Sequence, residues 1–455
     1  MPGGPRISFL KNTLTLLVSA FGLVGCSASQ PSVAKPALPA GSPSVAAVPS
    51  PAGEKLPPVM LGIDVLEAEG FAAVRGKRIG LLTHPAGVNR RGISTIEVLR
   101  HAPGVKLVAL YAGEHGIYNE LPAEKTFPDA IDPRTGLTVF SLYNDKTKRF
   151  RPTPAQLKPI DALVIDLQDI GTRSYTFIGA MKTAMEACFE NGKEVIILDR
   201  PNPLGGLKVD GPMLDPGLMT DVGRFRVPYV HGLTMGELAR MVKDALPPGG
   251  LALTPAQRAR ARLTVIPMRG WTRSMRWPET GLTWVPTSTL ITDWASVEGY
   301  PMVGLGCILG GFTHGIGKAY AFRGIHHDKI KLDVLEKELR AFNLPGLQFR
   351  SVSALNSKGQ PATGLYVEIS DYDAWEPTAL NFYLMKLACK FAPRNPFATA
   401  TKADQRTFKI HVGSEAFFDD LAAKGARIDL EAWLRTWREQ AHIYQEQSKK
   451  FWLYR

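Results

Sequence analysis

The sequence predicts an α/β fold: a Rossmann-like, mostly parallel sheet domain over 59–246, followed by a smaller α+β C-terminal domain over 247–455. Three observations predict it. Short apolar runs alternate with stretches of helical period, the pattern of strands joined by crossover helices. Each run empties into a polar loop rich in glycine or proline, and in open α/β sheets ligands bind beyond the carboxyl ends of the strands. After about residue 246 the alternation gives way to tryptophan-rich, glycine-dense and amphipathic segments, which suggests a second architecture closing the cleft at the sheet's edge.

Residues 1–25 read as a lipoprotein signal peptide. Arg6 and Lys11 precede an apolar segment from Leu14 to Val24, too short to span a bilayer, that ends in Leu23-Val24-Gly25-Cys26. That ending resembles a lipobox, so Cys26 is the expected lipidation site of an exported protein held at a membrane of the cell envelope. Because Ser27 rather than an aspartate follows, the anchor is expected in the outer membrane, facing the periplasm, where a cell has two membranes. Residues 26–58 are almost wholly Ser, Ala, Pro, Val and Gly, a tether with too little apolar surface to offset chain entropy.

The net charge of +12 becomes +10 once Arg6 and Lys11 leave with the signal, and no long Lys/Arg block remains. That suits solubility or an anionic polymer such as cell wall, and nucleic acid is not an expected partner of an exported protein. Cys188, Cys307 and Cys389 lie too far apart to imply a disulfide framework.

Within 59–246, Arg78 to Leu82, Leu107 to Tyr111, Ala162 to Asp166 and Glu194 to Leu198 are apolar runs of strand length. Ser94 with Glu97, and Thr234 with Glu237, have capping-box spacing and open helices. Ile178, Met181, Met185 and Cys188 share one helical face, which Gly192 ends. The loops after the strands are Thr83 to Gly87, Gly113-Glu114-His115-Gly116, Gln168 to Arg173 and Asp199 to Pro203. None is G-x-G-x-x-G or a P-loop, so no nucleotide cofactor is expected. Beyond residue 246 come Trp271, Trp277, Trp284 and Trp294, the glycine-dense Gly304 to Gly317, a helix with Leu335, Leu339 and Phe342, an alternating strand from Gly364 to Ser370, and an amphipathic helix from Leu430 to Tyr444.

Five segments, Tyr111 to Gly116, Asp166 to Arg173, Leu198 to Pro203, His231 to Leu238 and the terminal Trp452-Leu453-Tyr454, resemble in order and spacing the NamZ-type exo-β-N-acetylmuramidases. The resemblance is strongest over residues 60–300. It implies a two-domain glycoside hydrolase that releases terminal N-acetylmuramic acid from the non-reducing ends of peptidoglycan fragments, with the family's motif glutamate at Glu114. The chain also departs from that pattern. Family members carry a Phe-Glu-Gly-Thr-Asn type sequence and a Glu-Gly-Arg-Gly type turn where this chain has Ile308 to Lys318 with no acid, and Val230 stands where arginine is common.

Glycoside hydrolysis normally needs an acid to protonate the leaving oxygen and a second group to stabilise or attack the sugar cation. Glu114, at a strand end where partial burial favours a protonated acid, is the candidate acid, with His115 beside it. For the second group Asp169 comes first and Asp199 next. A site selective for N-acetylmuramic acid must hold its lactyl carboxylate, and guanidinium does so bidentately, which points to Arg173 and Arg200. Tyr175 and one of Trp271, Trp277 or Trp284 are candidates to stack on a sugar ring, and Asn202 and His231 come with the family segments. Each has a structural alternative: a turn-capping glutamate, an Asp–Arg pair, a core aromatic. The histidines His115, His231, His314, His326 and His327 lack zinc or iron spacing, so no metal is expected. A muropeptide-binding protein without turnover and a metal-dependent hydrolase of another substrate are the alternatives.

Overall fold

The computed structural model describes residues 57–121, 125–143, 150–316, 319–356 and 358–455; the expected signal peptide, Cys26 and all but the last two tether residues lie outside the described residues. Seven strands form the first sheet: β1 (Arg78–Thr83), β2 (Lys106–Ala112), β3 (Ala130–Ile131), β4 (Thr138–Ser141), β5 (Ala162–Asp166), β6 (Glu194–Leu198) and β7 (Leu263–Ile266). Their order is β3-β4-β2-β1-β5-β6-β7, parallel except where β3 pairs antiparallel with β4. β7 lies beyond residue 246, so the sheet takes its edge strand from the segment expected to belong to the second domain.

Successive strand residues point to opposite faces, and here both faces are apolar because helices cover both. Leu163 and Ile165 of β5, with Val195 and Ile197 of β6, join one cluster; Val164, Ile196 and Leu198 join another. The second cluster is closed by α1 (Gly62–Ala68) and α2 (Thr95–Arg100) through Ile63, Leu66, Ile96 and Leu99. The first is closed by Leu157 of the short α3 (Pro154–Leu157), by α4 (Thr176–Glu190) through Ile178, Met181, Met185 and Cys188, and by α5 (Met235–Asp244) through Leu238 and Val242. Thr234 and Glu237 form the expected capping box, with N–H bonds of 3.2 and 3.1 Å. Ser94 caps α2 through Ile96 N–H, but Glu97 turns to Arg100 at 3.0 Å instead of reaching back.

After the exposed α6 (Pro255–Arg260) and α7 (Trp294–Val303), a second sheet forms from β8 (Phe312–His314), β9 (Gly324–His327), β10 (Leu347–Leu355) and β11 (Pro361–Ile369). It is antiparallel, in the order β10-β11-β9-β8. Helices α8 (Leu332–Ala341), α9 (Ala379–Phe391), α10 (Lys402–Val412), α11 (Glu415–Lys424) and α12 (Leu430–Ser448) complete it. Leu365, Phe382 and Trp437 belong to the same cluster as Met185 and Val242, so the second half extends the α4–α5 layer in one continuous core. Among the described residues no helix is long and apolar enough to cross a membrane.

The terminal Trp-Leu-Tyr segment is a strap. Tyr454 donates its hydroxyl to Asp199 Oδ2 at 2.5 Å, and Leu453 N–H reaches Glu237 Oε1 at 2.8 Å. Trp452 lies 3.7 Å from the guanidinium of Arg273, which itself grips Glu237 at 2.7 and 2.9 Å. Burial pushes Asp199 up from 3.8 to about 6, against the hydrogen bonds from Tyr454, Gly236 and Thr234. A folded value above the unfolded one means this carboxyl costs stability as pH rises through that window, and the Tyr454 bond offsets the cost only where Asp199 is ionised. Tyr454→Phe is therefore expected to lose about 1.5–3 kcal/mol in urea melts at pH 8 and less at pH 5. Equal deficits at both pH values would exclude this account.

Candidate active site

Strand order runs outward from β1 in both directions, so the chain reverses between β1 and β5, and the ligand crevice of such a sheet lies outside those carboxyl ends. β1 delivers His84 there. Gln168 N–H donates to His84 Nε2 at 2.8 Å, which leaves the ring proton on Nδ1, buried and without a protein partner. Burial, with Arg200 and His115 nearby, pushes His84 down to about 3, so the ring is neutral.

β2 delivers Glu114. The carboxylate is half-buried, and Thr176, the first residue of α4, donates its hydroxyl to Oε2 at 3.3 Å. His115 follows at φ +72°, with Nδ1 3.1 Å from the Leu121 carbonyl. That contact braces the loop that follows Glu114.

β5 delivers Asp169, buried at 6% exposure, whose Oδ2 accepts Gly171 N–H at 2.7 Å and lies 3.4 Å from His231 Nε2. Leu233 N–H donates to His231 Nδ1 at 3.2 Å, so the His231 proton sits on Nε2 and faces the carboxylate. The other oxygen, Oδ1, is buried with no protein partner. The Tyr300 hydroxyl of α7 is 3.3 Å from Ser174 Oγ, which lies 2.7 Å from the Tyr229 hydroxyl. Burial above all, and the negative charges of Glu114 and Asp169 besides, push Tyr300 up to about 12, leaving it a donor at neutral pH. Among the described residues no group of three or more His, Cys, Asp or Glu could hold a metal ion.

The chain matches two family models, described as exo-β-N-acetylmuramidase NamZ, N-terminal over residues 79–295 and C-terminal over residues 299–454. The chain belongs to the NamZ family. The peptidoglycan β-N-acetylmuramidase NamZ of Bacillus subtilis (strain 168) is 35% identical over 387 residues, 84% of each chain. A crystal structure of a DUF1343 family protein from Bacteroides fragilis NCTC 9343 superposes with a TM-score of 0.78 at 36% identity, over 87% of this chain and 99% of that one. A second protein of that description from the same strain, 24% identical, shares the fold with a TM-score of 0.64 over 87% of this chain and 99% of its own. The chain is thus a glycoside hydrolase of the NamZ family, and its motif residues divide into those that face the crevice and those that build it.

Four expected substrate ligands are builders. Arg173, 1% exposed, gives its fork to the carbonyls of Pro212, Val227, His411 and Val412 at 2.8–3.1 Å, stapling the first half to the end of α10. Gly413 sits there at φ +88° because a Cβ would lie 2.4 Å from Arg173 Nη2. Arg200 pairs bidentately with Asp166 at 2.5 and 2.9 Å. Asp199 is fully buried and accepts from Arg200 and Gly236 backbone N–H and from the Thr234 and Tyr454 hydroxyls. Asn202 bridges the Leu233 carbonyl and Leu204 N–H, packed so closely on Gly171 that a Cβ there would meet Oδ1 at 2.5 Å. None of the four has a fork or carboxylate left for a sugar.

The aromatic candidates divide too. Tyr175 donates to or accepts from Thr287 Oγ1 at 2.7 Å and stands edge-on to Phe177 and Tyr300, a packed wall rather than a platform. Trp271 is edge-on to Tyr454 in the strap, while Trp277 and Trp284 pair edge-on at 4.9 Å. His84 and Tyr300 escape sequence reasoning. His84 had a signal, a histidine in the loop after the first strand; Tyr300 sits on a helix more than a hundred residues from either acid and had none.

Proposed function

We propose that this chain is an exo-acting β-N-acetylmuramidase that releases terminal N-acetylmuramic acid from the non-reducing ends of peptidoglycan fragments, with Glu114 as general acid. One observation carries the assignment: Glu114 is the half-buried carboxyl that β2 presents at the crevice, oriented by Thr176 from the start of α4. From there it protonates the glycosidic oxygen as the bond to the sugar breaks. Asp169 is the second group. With Oδ2 accepting Gly171 N–H, its unpartnered Oδ1 is left to face the sugar cation or an attacking water. The neutral His84 keeps an unpartnered Nδ1–H as a donor to a sugar oxygen. This chemistry uses carboxylates, hydroxyls and imidazole alone, with no cofactor. Incubation with the N-acetylmuramyl-N-acetylglucosamine disaccharide tests it: free N-acetylmuramic acid is the expected product, and none from folded protein overturns the reading.

The same reading makes the chain an exported lipoprotein at the cell envelope, anchored through Cys26, supported by the signal-like segment before that cysteine and the tether after it. Cys26→Ser is expected to leave an unprocessed precursor that takes up no labelled fatty acid. Equal labelling of the variant would exclude the anchor.

A further inference from the structure

A cavity of about 340 Å³ lies between the loop that follows β1 and the segment around Trp277, with Gln168, the neighbour of Asp169, in its wall. That is the size of a small-ligand site. Its buried polar groups are incompletely paired, in a fixed sense. Asn89 uses Oδ1 to accept the N–H groups of Arg91 and Ile93 at 3.0 Å each, so the atom left over is the donor Nδ2. Gln168 uses Nε2 to donate to the carbonyls of Asp169 and Pro201 at 2.8 and 3.0 Å, so the atom left over is the acceptor Oε1. Both side chains are 1% exposed, and the buried indole N–H of Trp277 on the same wall also lacks a partner. Buried polar groups without partners are rare in folded proteins, and here three residues that line one cavity each carry one.

The cations of the wall differ in what they have to spare. Arg200 is committed to Asp166, and Arg91 pairs with Glu67 at 2.7 Å. Arg90 is held loosely, by the Pro57 carbonyl at 3.4 Å and with Nε 3.9 Å from Asp64 Oδ1. A ligand that satisfies this wall brings a negative charge for Arg90 and Asn89 and an N–H for Gln168.

We propose that this cavity reads the substituents of the terminal sugar: Arg90 and Asn89 Nδ2 take its lactyl carboxylate, and Gln168 Oε1 accepts its acetamido N–H. The assignment rests on the muramidase reading above. It replaces the role that Arg173 and Arg200 cannot fill, and its charge-assisted bonds set the preference for N-acetylmuramic acid over N-acetylglucosamine.

The test compares the disaccharide with its lactyl methyl ester, which keeps shape and removes charge. Wild type is expected to prefer the acid. Arg90→Ala is expected to lose about 10- to 100-fold in kcat/KM on the acid, chiefly through KM, and little on the ester. Asn89→Asp keeps both backbone bonds to its Oδ1 position while placing an anion where the donor stood, and is expected to lose the acid in the same selective way. Equal losses on acid and ester, or no loss in either variant, overturn the proposal. Should wild type hydrolyse neither compound, the muramidase reading fails and calorimetry with free N-acetylmuramic acid decides the cavity separately. Binding by wild type that Arg90→Ala abolishes upholds it; absent or unchanged binding overturns it.

Discussion

Glu114→Gln is expected to lower kcat on the N-acetylmuramyl-N-acetylglucosamine disaccharide about 10²–10⁴-fold with little change in KM. The glutamine amide oxygen can still accept the Thr176 hydroxyl, so the loop stays in place and only the transferable proton is lost. An aryl N-acetylmuraminide, whose leaving group departs without protonation, is expected to be spared most of that loss. This contrast separates an acid from a residue that merely shapes the site, because a shaping role would slow both substrates alike. Full activity of a folded variant on the disaccharide would remove Glu114 from the mechanism and leave Asp169 as the acid to test, since Asp199 is sealed by four donors.

The parallel sheet was legible because strands covered on both faces must be apolar throughout: β5 and β6 are buried along almost their whole length. β7 was not, because it is a four-residue edge strand, mostly half-exposed, that follows a helix with no buried residue. The loops that carry Glu114 and Asp169 were legible for the same reason as the sheet, since each follows a readable strand. The arginines were not. A guanidinium beside a strand end looks the same whether it waits for a carboxylate or is already spent, and its acceptors come from distant chain. Arg173 finds carbonyls at Pro212 and Val412, and Asp199 finds Tyr454, 255 residues along the chain. Sequence pattern located the loops at the strand ends; only the fold showed which of their side chains are spent on the scaffold.

Arg200→Met is expected to cost about 3–5 kcal/mol of unfolding free energy, the largest stability effect among the motif residues. Asp166 is fully buried and Arg200 is 2% exposed, so removing the guanidinium strands a carboxylate whose remaining side-chain donor, among the described residues, is the Thr95 hydroxyl at 2.5 Å. The penalty is that of an uncompensated buried charge rather than the worth of the pair. Asp166→Asn in the same chain removes that charge and still leaves an oxygen for Thr95, so the double variant is expected to recover much of the loss. Arg200 also donates to the Val88 carbonyl at 2.7 Å, which ties the loop carrying Asn89 and Arg90 to β5. The single variant should therefore also lose preference for the lactyl acid over its ester, and the double variant should regain stability without regaining that preference. Urea melts of both variants at pH 7 measure the first effect. A loss below about 1 kcal/mol in the single variant, the scale of a solvent-exposed pair, would show that the Asp166–Arg200 bridge does not hold the crevice.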